Sequence, residues 1–433
     1  MITALLMGLS IVVLLIIGWP IAIALGLPGL FWLWLLDPVR LVYLKGAQNA
    51  IWNTAENYSL LSVPMFVLMG ELLQRTDISR RFYNSVAALL WRLPGGALHS
   101  NIFACAVLAA VSGSSVATAA MIGAAAIPSL IKLNYDRKLI FGTLAAGGTL
   151  GILIPPSIPL IIYAAMTEQS VGRLFMAALL PGLMMTGIFF LYVLWRGWQL
   201  NRAGYPNPKP EVQPTGREIV ADMLPFGLIF AVVFGGLYLG WATPTEIAGI
   251  GVLISLITAL LYRQLDSHKL WDALVSSVSI TSVIIFVVIG AQIFSYALFS
   301  YGITRSLAEW TAGLPVPPVV TLGVIVVMYL ILGMFIDSIS MMVLTLGVVY
   351  PVIVKLGYDP IWFAVVLVIL IEIGLITPPV GINLFTINAI VPGLTSVGEV
   401  ARGSLPFVFL LLLGVVLLII FPGIALWLPS KMF

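Results

Sequence analysis

In the stretch Gly151-Ile152-Leu153-Ile154-Pro155-Pro156 a glycine and two adjacent prolines interrupt an apolar run. In a water-soluble loop such a string marks an ordinary turn. Its flanks, residues 139–150 and 158–165, are too apolar for a surface loop, so the interruption falls at membrane depth. Proline lacks a backbone donor and its ring clashes with the preceding turn, so a helix entering this stretch must unwind and free several carbonyls. Inside a bilayer, freed carbonyls are tolerated only where protein buries them or a polar cavity receives them.

The same interruption returns as Gly374-Leu375-Ile376-Thr377-Pro378-Pro379, 223 positions later (374 − 151). A repeated broken helix is the sequence mark of an ion and substrate site in a secondary transporter. Composition agrees: of 433 residues 61% are hydrophobic and 9% charged, where a soluble domain carries about 25% charged residues. The expected fold is therefore an all-α polytopic membrane protein embedded in the lipid bilayer. The most polar stretch, residues 201–218, is only a linker. The single Cys105 excludes an internal disulfide and a multi-cysteine metal site. His99 and His268 lie far apart, without metal-ligating spacing, so no transition metal is expected. The net charge of +3 comes from loops and describes no nucleic-acid surface. No nucleophile–base arrangement, phosphate loop or pair of catalytic acids is present, which argues against an enzyme. The chain opens on an apolar run without a basic leader or small-residue cleavage site, and reads as a first membrane helix.

A spanning helix needs roughly 20 apolar residues. Residues 2–17 and 20–36 make two spans, 38–57 an interfacial connector and 60–73 a third span. Residues 79–93 are too short and too charged to cross and read as an arm along the surface. Residues 97–133 form a re-entrant hairpin with its tip at Ser112-Gly113-Ser114-Ser115. The broken helix covers 137–167, and 174–195 closes the first half. After a cytoplasmic linker at 200–217 the plan repeats. Spans cover 226–239, 246–261 and 280–298, and an arm covers 303–314. A second hairpin at 317–356 has its tip near Asp337-Ser338, a broken helix follows at 359–391, and the closing span is 405–428.

The repeat is visible residue by residue. Gly18-Trp19 matches Gly240-Trp241, and Ser62-Val63, Phe66 and Gly70 match Ser282-Val283, Phe286 and Gly290. Pro128, Tyr135-Asp136, Gly151 and Pro155-Pro156 match Pro351, Tyr358-Asp359, Gly374 and Pro378-Pro379. In that last register Ser114-Ser115 falls on Asp337-Ser338. Each half, 1–199 and 218–433, has an odd number of crossings, so the second is inverted relative to the first. Placing the first arm and the linker inside leaves only Arg40, Lys45, Arg173, Arg305, Lys355 and Lys431 outside. That distribution puts both termini outside.

Two mirror sites follow. The first joins Ser112, Gly113, Ser114, Ser115 and Thr118 to the backbone around Gly151, Ile154 and Pro155. Hydroxyls and carbonyls without thiolate or imidazole suit a hard monovalent cation. The second joins Asp337, Ser338 and Ser340 to Gly374, Ile376 and Thr377. A carboxylate in mid-membrane, as at Asp337, is costly and usually functional. Small residues also let helices pack closely, and Ala117, Ala119 and Ala120 are read that way. Glu372 is a second buried acid, read equally as a structural hydrogen-bonding group or as part of ion coupling. Ser157 and Asn383, just after the two breaks, are placed either to face a substrate held between the tips or to bond neighbouring helices. Helix N-termini after each break and at each tip favour an anionic ligand group. Trp19, Trp32, Trp34, Trp52, Trp241 and Trp362 are read as interface anchors.

The chain resembles, over essentially its whole length, the large membrane subunit of tripartite ATP-independent periplasmic (TRAP) transporters. The resemblance is carried by Ser62-Val63-Pro64-Met65-Phe66-Val67-Leu68-Met69-Gly70-Glu71, Ser112-Gly113-Ser114-Ser115-Val116-Ala117-Thr118 and the 151–157 break. In the second half it is carried by Thr243-Pro244-Thr245-Glu246 and the 374–379 break. It implies sodium at both tip-plus-break sites with the substrate between them. It also implies an elevator mechanism, in which a transport domain of hairpins and broken helices moves against a scaffold. The implied partners are a small four-helix membrane subunit and a periplasmic binding protein that delivers an organic acid, in the bacterial inner membrane. A self-sufficient sodium/dicarboxylate symporter, or a structural or channel-like subunit, are the competing readings.

Overall fold

The computed structural model describes residues 2–37, 41–204 and 207–432, which are helices and their connections with no strand. Arg40, assigned above to the outer side, and residues 205 and 206 of the linker lie outside the described residues. The first half begins with α1 (Ile2–Ile16) and α2 (Ile21–Leu36), joined at Gly18 with φ +90. Then follow α3 (Val42–Ala55), α4 (Ser62–Gln74) and α5 (Ile78–Leu90). The hairpin is α6 (Leu98–Ser112) and α7 (Ser115–Lys132), the broken helix α8 (Arg137–Leu153) and α9 (Ile158–Thr167), and α10 (Val171–Arg202) closes the half. The second half has α11 (Gly216–Tyr238), α12 (Pro244–Leu261), α13 (Ser267–Ser300) and α14 (Ile303–Ala312). Its hairpin is α15 (Pro318–Gly333) and α16 (Ser338–Lys355), its broken helix α17 (Pro360–Leu375) and α18 (Ile382–Ile390), and α19 (Val397–Ile420) leads to a short α20 (Gly423–Leu426). Among the described residues, eight helices are long and apolar enough to cross a membrane, counting α8 and α9 together; α1, α2, α4, α6, α15 and α17 are shorter apolar helices.

The repeated Tyr-Asp pair is explained by helix caps. Asp136 accepts the Lys138 N–H at the start of α8, and the matching Asp359 accepts the Ile361 and Trp362 N–H groups at the start of α17. A carboxylate there satisfies donors that a helix start leaves open. Thr215 with Glu218, and Thr243 with Glu246, form full capping boxes that fix where α11 and α12 begin.

Packing separates a core from a frame. An 18-residue window across α8 and α9 is 94% buried, against 33% in α12, so the first broken helix is enclosed by protein, as freed carbonyls require. All residues from Ile361 to Leu375 of α17 are buried as well. In the frame, α2 lies along α13 and α4 along α12.

Several elements depart from the expected limits, and α11, from Gly216, and α19, from Val397, begin ahead of the expected 226 and 405. The second-half span expected at 280–298 is one continuous helix, α13, from Ser267 to Ser300. In the first half the equivalent stretch is split into α3 and α4. There the Asn57 side chain accepts the Ser59 N–H, a local bond that competes with helix. At the matching place in α13, Ser277 instead donates to the Ala273 carbonyl one turn back and the helix runs on. Helix α10 runs seven residues past the expected end, to Arg202, which shortens the linker. The described part of the linker is fastened to the base of the first hairpin. Asn207 accepts the Gly95 N–H and donates to the Leu93 carbonyl, and Glu211 pairs with Lys132 at 2.6 Å.

Candidate functional site

Each hairpin tip is seated on the break of its own half. At the first tip, Gly113 has φ +58, which favours a residue without Cβ. Ser114 caps α7 by accepting the Ala117 N–H, and the Ser112 and Thr118 hydroxyls lie 2.6 Å apart. Thr118 also donates to the Ser114 carbonyl. Gly151 of the break faces this cluster so closely that a Cβ there would come within 2.7 Å of the Ser114 carbonyl oxygen and 2.9 Å of Thr118 Oγ1. A Cβ on Gly113 would stand 3.0 Å from the Pro156 carbonyl oxygen. Hydroxyl and carbonyl oxygens gather here, the type that suits a hard cation. Ile154 and Pro155 are buried, with Ile154 packed on Gly182 of α10.

The second tip repeats the seating with a carboxylate in place of a hydroxyl. Asp337 caps α16 through the Ile339 and Ser340 N–H groups, at 3.1 and 3.2 Å. Gly333 and Gly374 touch backbone to backbone; a Cβ on Gly374 would lie 2.5 Å from Gly333 Cα. The Val380 N–H donates to the Met334 carbonyl at 3.1 Å, tying this break to its tip. Thr377 donates its hydroxyl to the Ile373 carbonyl, Ile376 is buried, and Ser340 is buried behind Asp337. In both breaks the Pro–Pro bond is cis. The halves differ in exposure, since residues 151–160 are buried whereas Pro378, Pro379 and Val380 are exposed.

The two tips look into one cavity of about 480 Å³. Ser112–Ala117 line one side, and Asp337, Ser338 and Ile339 another. The broken helices add Ile152, Ile158, Pro159, Leu375 and Ile382, and the frame adds Glu71 and Gln74 of α4, and Ser279, Ile280 and Val283 of α13. Sequence reasoning did not single out this wall as functional. The available signal was an acid and an amide, Glu71 and Gln74, at the end of an otherwise apolar span. Among the lining residues are two acids, Glu71 and Asp337, and no lysine, arginine or histidine. The nearest guanidinium on that wall, Arg75, is engaged by Glu71 at 3.1 Å, Asp272 at 3.6 Å and Ser276 at 2.6 Å.

The other sequence candidates lie behind the cavity wall. Ser157 is fully buried, caps α9 and donates to the Ile152 carbonyl, bridging the break. Asn383 is fully buried and reaches from the second break to the first tip, where its Nδ2 donates to Ser115 Oγ at 2.7 Å. Glu372 stands apart from both tips. It is fully buried, neither carboxyl oxygen has a partner among the described residues, and two helical residues place it on the face of α17 opposite Gly374.

Residues 9–424 match the family described as the tripartite ATP-independent periplasmic transporter, DctM component. The chain belongs to that family. It is 34% identical over 411 residues to the C4-dicarboxylate TRAP transporter large permease protein DctM of Pseudomonas aeruginosa, covering 94% of each chain. It is 32% identical over 420 residues to the 2,3-diketo-L-gulonate TRAP transporter large permease protein YiaN of Escherichia coli, covering 96% of each. Its fold is similar to the crystal structure of the Alcanivorax borkumensis YdaH transporter, with a TM-score of 0.63 at 19% identity over 98% of this chain and 99% of that one. As a DctM-type permease the chain is a multi-pass membrane component of a transporter, and these relatives are permeases rather than enzymes.

Proposed function

We propose that this permease is the transmembrane component of a sodium-coupled importer of a small organic anion. A periplasmic binding protein delivers the anion, and a small four-helix membrane subunit completes the complex. The observation that carries the reading is the charge of the central cavity: no basic side chain lines it, Glu71 is held by Arg75, and the Asp337 carboxylate has no cationic partner among the described residues. An organic anion placed there alone meets like charge in a low dielectric, where repulsion is large. Cations seated between each tip and its break reverse that balance, and the N-termini of α7, α9, α16 and α18 add partial positive charge. Sodium binding therefore precedes anion binding. Hairpins and broken helices would then move as one body against the frame, an elevator, in the bacterial inner membrane with both termini periplasmic. The substrates in the relatives' names, a C4-dicarboxylate and a diketo sugar acid, support an organic acid as cargo.

The test is uptake into liposomes holding the permease with its membrane subunit and binding protein. Sodium outside should drive accumulation where potassium does not. Ser115→Ala and Asp337→Ala should each raise the sodium needed for half-maximal uptake by about fivefold or more, the effect of one lost charge-assisted ligand. Equal uptake in sodium and potassium rejects the reading.

A further inference from the structure

Helix α13 carries one stripe that borders two separate cavities. Ile280, Ile284, Val288, Gln292, Ser295 and Phe299 follow one another at spacings of three and four on a continuous helix, which puts them on a single face. The start of the stripe, Ile280 and Ile284, lines the cavity between the tips. The rest of it lines a second cavity of about 330 Å³, where Asn53 and Thr54 of α3 and Asn57 just beyond it form the neighbouring wall. The two cavities have no lining residue in common. In the orientation proposed above α13 runs from the cytoplasmic to the periplasmic side, so the second cavity is the outer one.

Gln292 is the only amide or charged residue between positions 280 and 298. A strongly polar group within a spanning segment is costly and marks function, and no group among the described residues hydrogen-bonds its side chain. The frame's share of the outer cavity is uncharged: Asn53, Asn57, Gln292 and Ser295 supply amides and a hydroxyl. Its one acid, Glu168, stands at the end of α9, in the broken helix. The second hairpin already lies along this stripe. Ile339 at the start of α16 shares the central cavity with Ile280, and Gly347, about two turns on, packs on Ser295.

We propose that the polar patch around Gln292 is the wall that the tips meet at the outer end of their stroke, a second station for the organic anion. The inference rests on the elevator reading above. At about 1.5 Å per residue, Gln292 lies about 12 Å along the helix from Ile284 and about 18 Å from Ile280. Hairpins and broken helices displaced outward by that distance exchange Ile280 and Ile284 for Gln292 and Ser295, and Glu168 leaves with α9. Val288, between the patches, offers the anion no hydrogen bond, so the stripe holds cargo at its two ends only. The ends differ in kind. The outer one receives a carboxylate among neutral donors, and the inner one releases it past the Glu71–Arg75 pair.

The experiment is thiol cross-linking of the permease with its membrane subunit in liposomes, using a short bis-maleimide and scoring the loss of both free thiols. It compares Ile339→Cys paired in turn with Ile280→Cys, Gln292→Cys and Phe286→Cys. Phe286 is nearer than Gln292 to Ile280 along the helix, but it is off the stripe and exposed. The expected result is that the Ile280 and Gln292 pairs both bridge and the Phe286 pair does not. A further variant, Gly347→Cys with Ser295→Cys, pins α16 to α13 where they now touch and tests the elevator separately through uptake. If the Gln292 pair never bridges while the pinned protein loses uptake, the outer station is wrong and the elevator stands. If the pinned protein transports in full, the elevator fails and the inference with it. Bridging of the Phe286 pair as readily as the Gln292 pair would report general loosening and overturn the proposal. Should Gln292→Cys not fold, Ser295→Cys one turn on takes its place against Ile339→Cys, with the same outcomes.

Discussion

At the scale of single residues, the site is built as much from missing side chains as from present ones. Gly374 meets Gly333 so closely that a Cβ would lie 2.5 Å from its Cα, with backbone on the opposing side that cannot swing away. Gly374→Ala should unseat the second tip at a penalty of roughly 1–3 kcal/mol, and uptake should fall about tenfold while the protein still reaches the membrane. Gly187, with nothing within 4 Å of its added Cβ, is the matched control and should tolerate alanine. Normal transport by Gly374→Ala would mean that the close seating is incidental. Gly374 was legible in the sequence because it stands just ahead of a proline pair in an apolar run, a local signal, whereas its partner Gly333 in the hairpin was not. The Asn383–Ser115 bond was not legible, since it joins residues 268 positions apart and belongs to neither repeat alone.

At the scale of elements, the two arms are held differently. Arg81 of α5 pairs with Asp222 of α11 at 2.9 Å, Ser85 donates to the other carboxylate oxygen, and the guanidinium lies over the Tyr262 ring. Asp222 has a side-chain exposure of 5% and Arg81 of 41%, so the bridge is only half withdrawn from water. Asp222→Ala should destabilise by about 1–3 kcal/mol, less than breaking a fully buried pair, visible as a drop of several degrees in unfolding temperature. The second arm, α14, carries an exposed pair within one helix, Arg305 with Glu309. Exposed pairs of that kind are screened by water and add next to nothing to stability, and Glu309→Ala should leave the unfolding temperature unchanged. Equal effects of the two changes would refute this difference. The arms themselves were legible as short charged stretches between apolar ones, and the clamp was not, because it depends on α11 coming alongside. The cavity wall of Glu71, Gln74 and Ser279 escaped for the same reason: α4 and α13 face the tips only once the frame has assembled.

At the scale of the whole molecule, movement of the hairpins against the frame is open to a direct test. Gly347 of α16 packs on Ser295 of α13, with the position of an added Cβ 3.1 Å from Ser295 Cβ. That is near the separation of about 3.5–4.5 Å that a disulfide requires. Gly347→Cys with Ser295→Cys should cross-link under oxidation and stop uptake, and a reductant should restore it; the native Cys105 is buried and leaves the result clean. Full uptake by the cross-linked protein would exclude an elevator. The all-helical, twice-repeated architecture was legible because breaks and composition act locally. The continuity of α13 was not, since matching positions bond differently, forward at Asn57 and back at Ser277, a difference that appears only in the folded chain. That single rod faces a jointed pair, α3 and α4, so swapping the roles of the two halves does not regenerate the same object. Under the proposed elevator motion, the opposite ends of the stroke would then be wells of unequal depth, with an idle molecule waiting in the deeper of them.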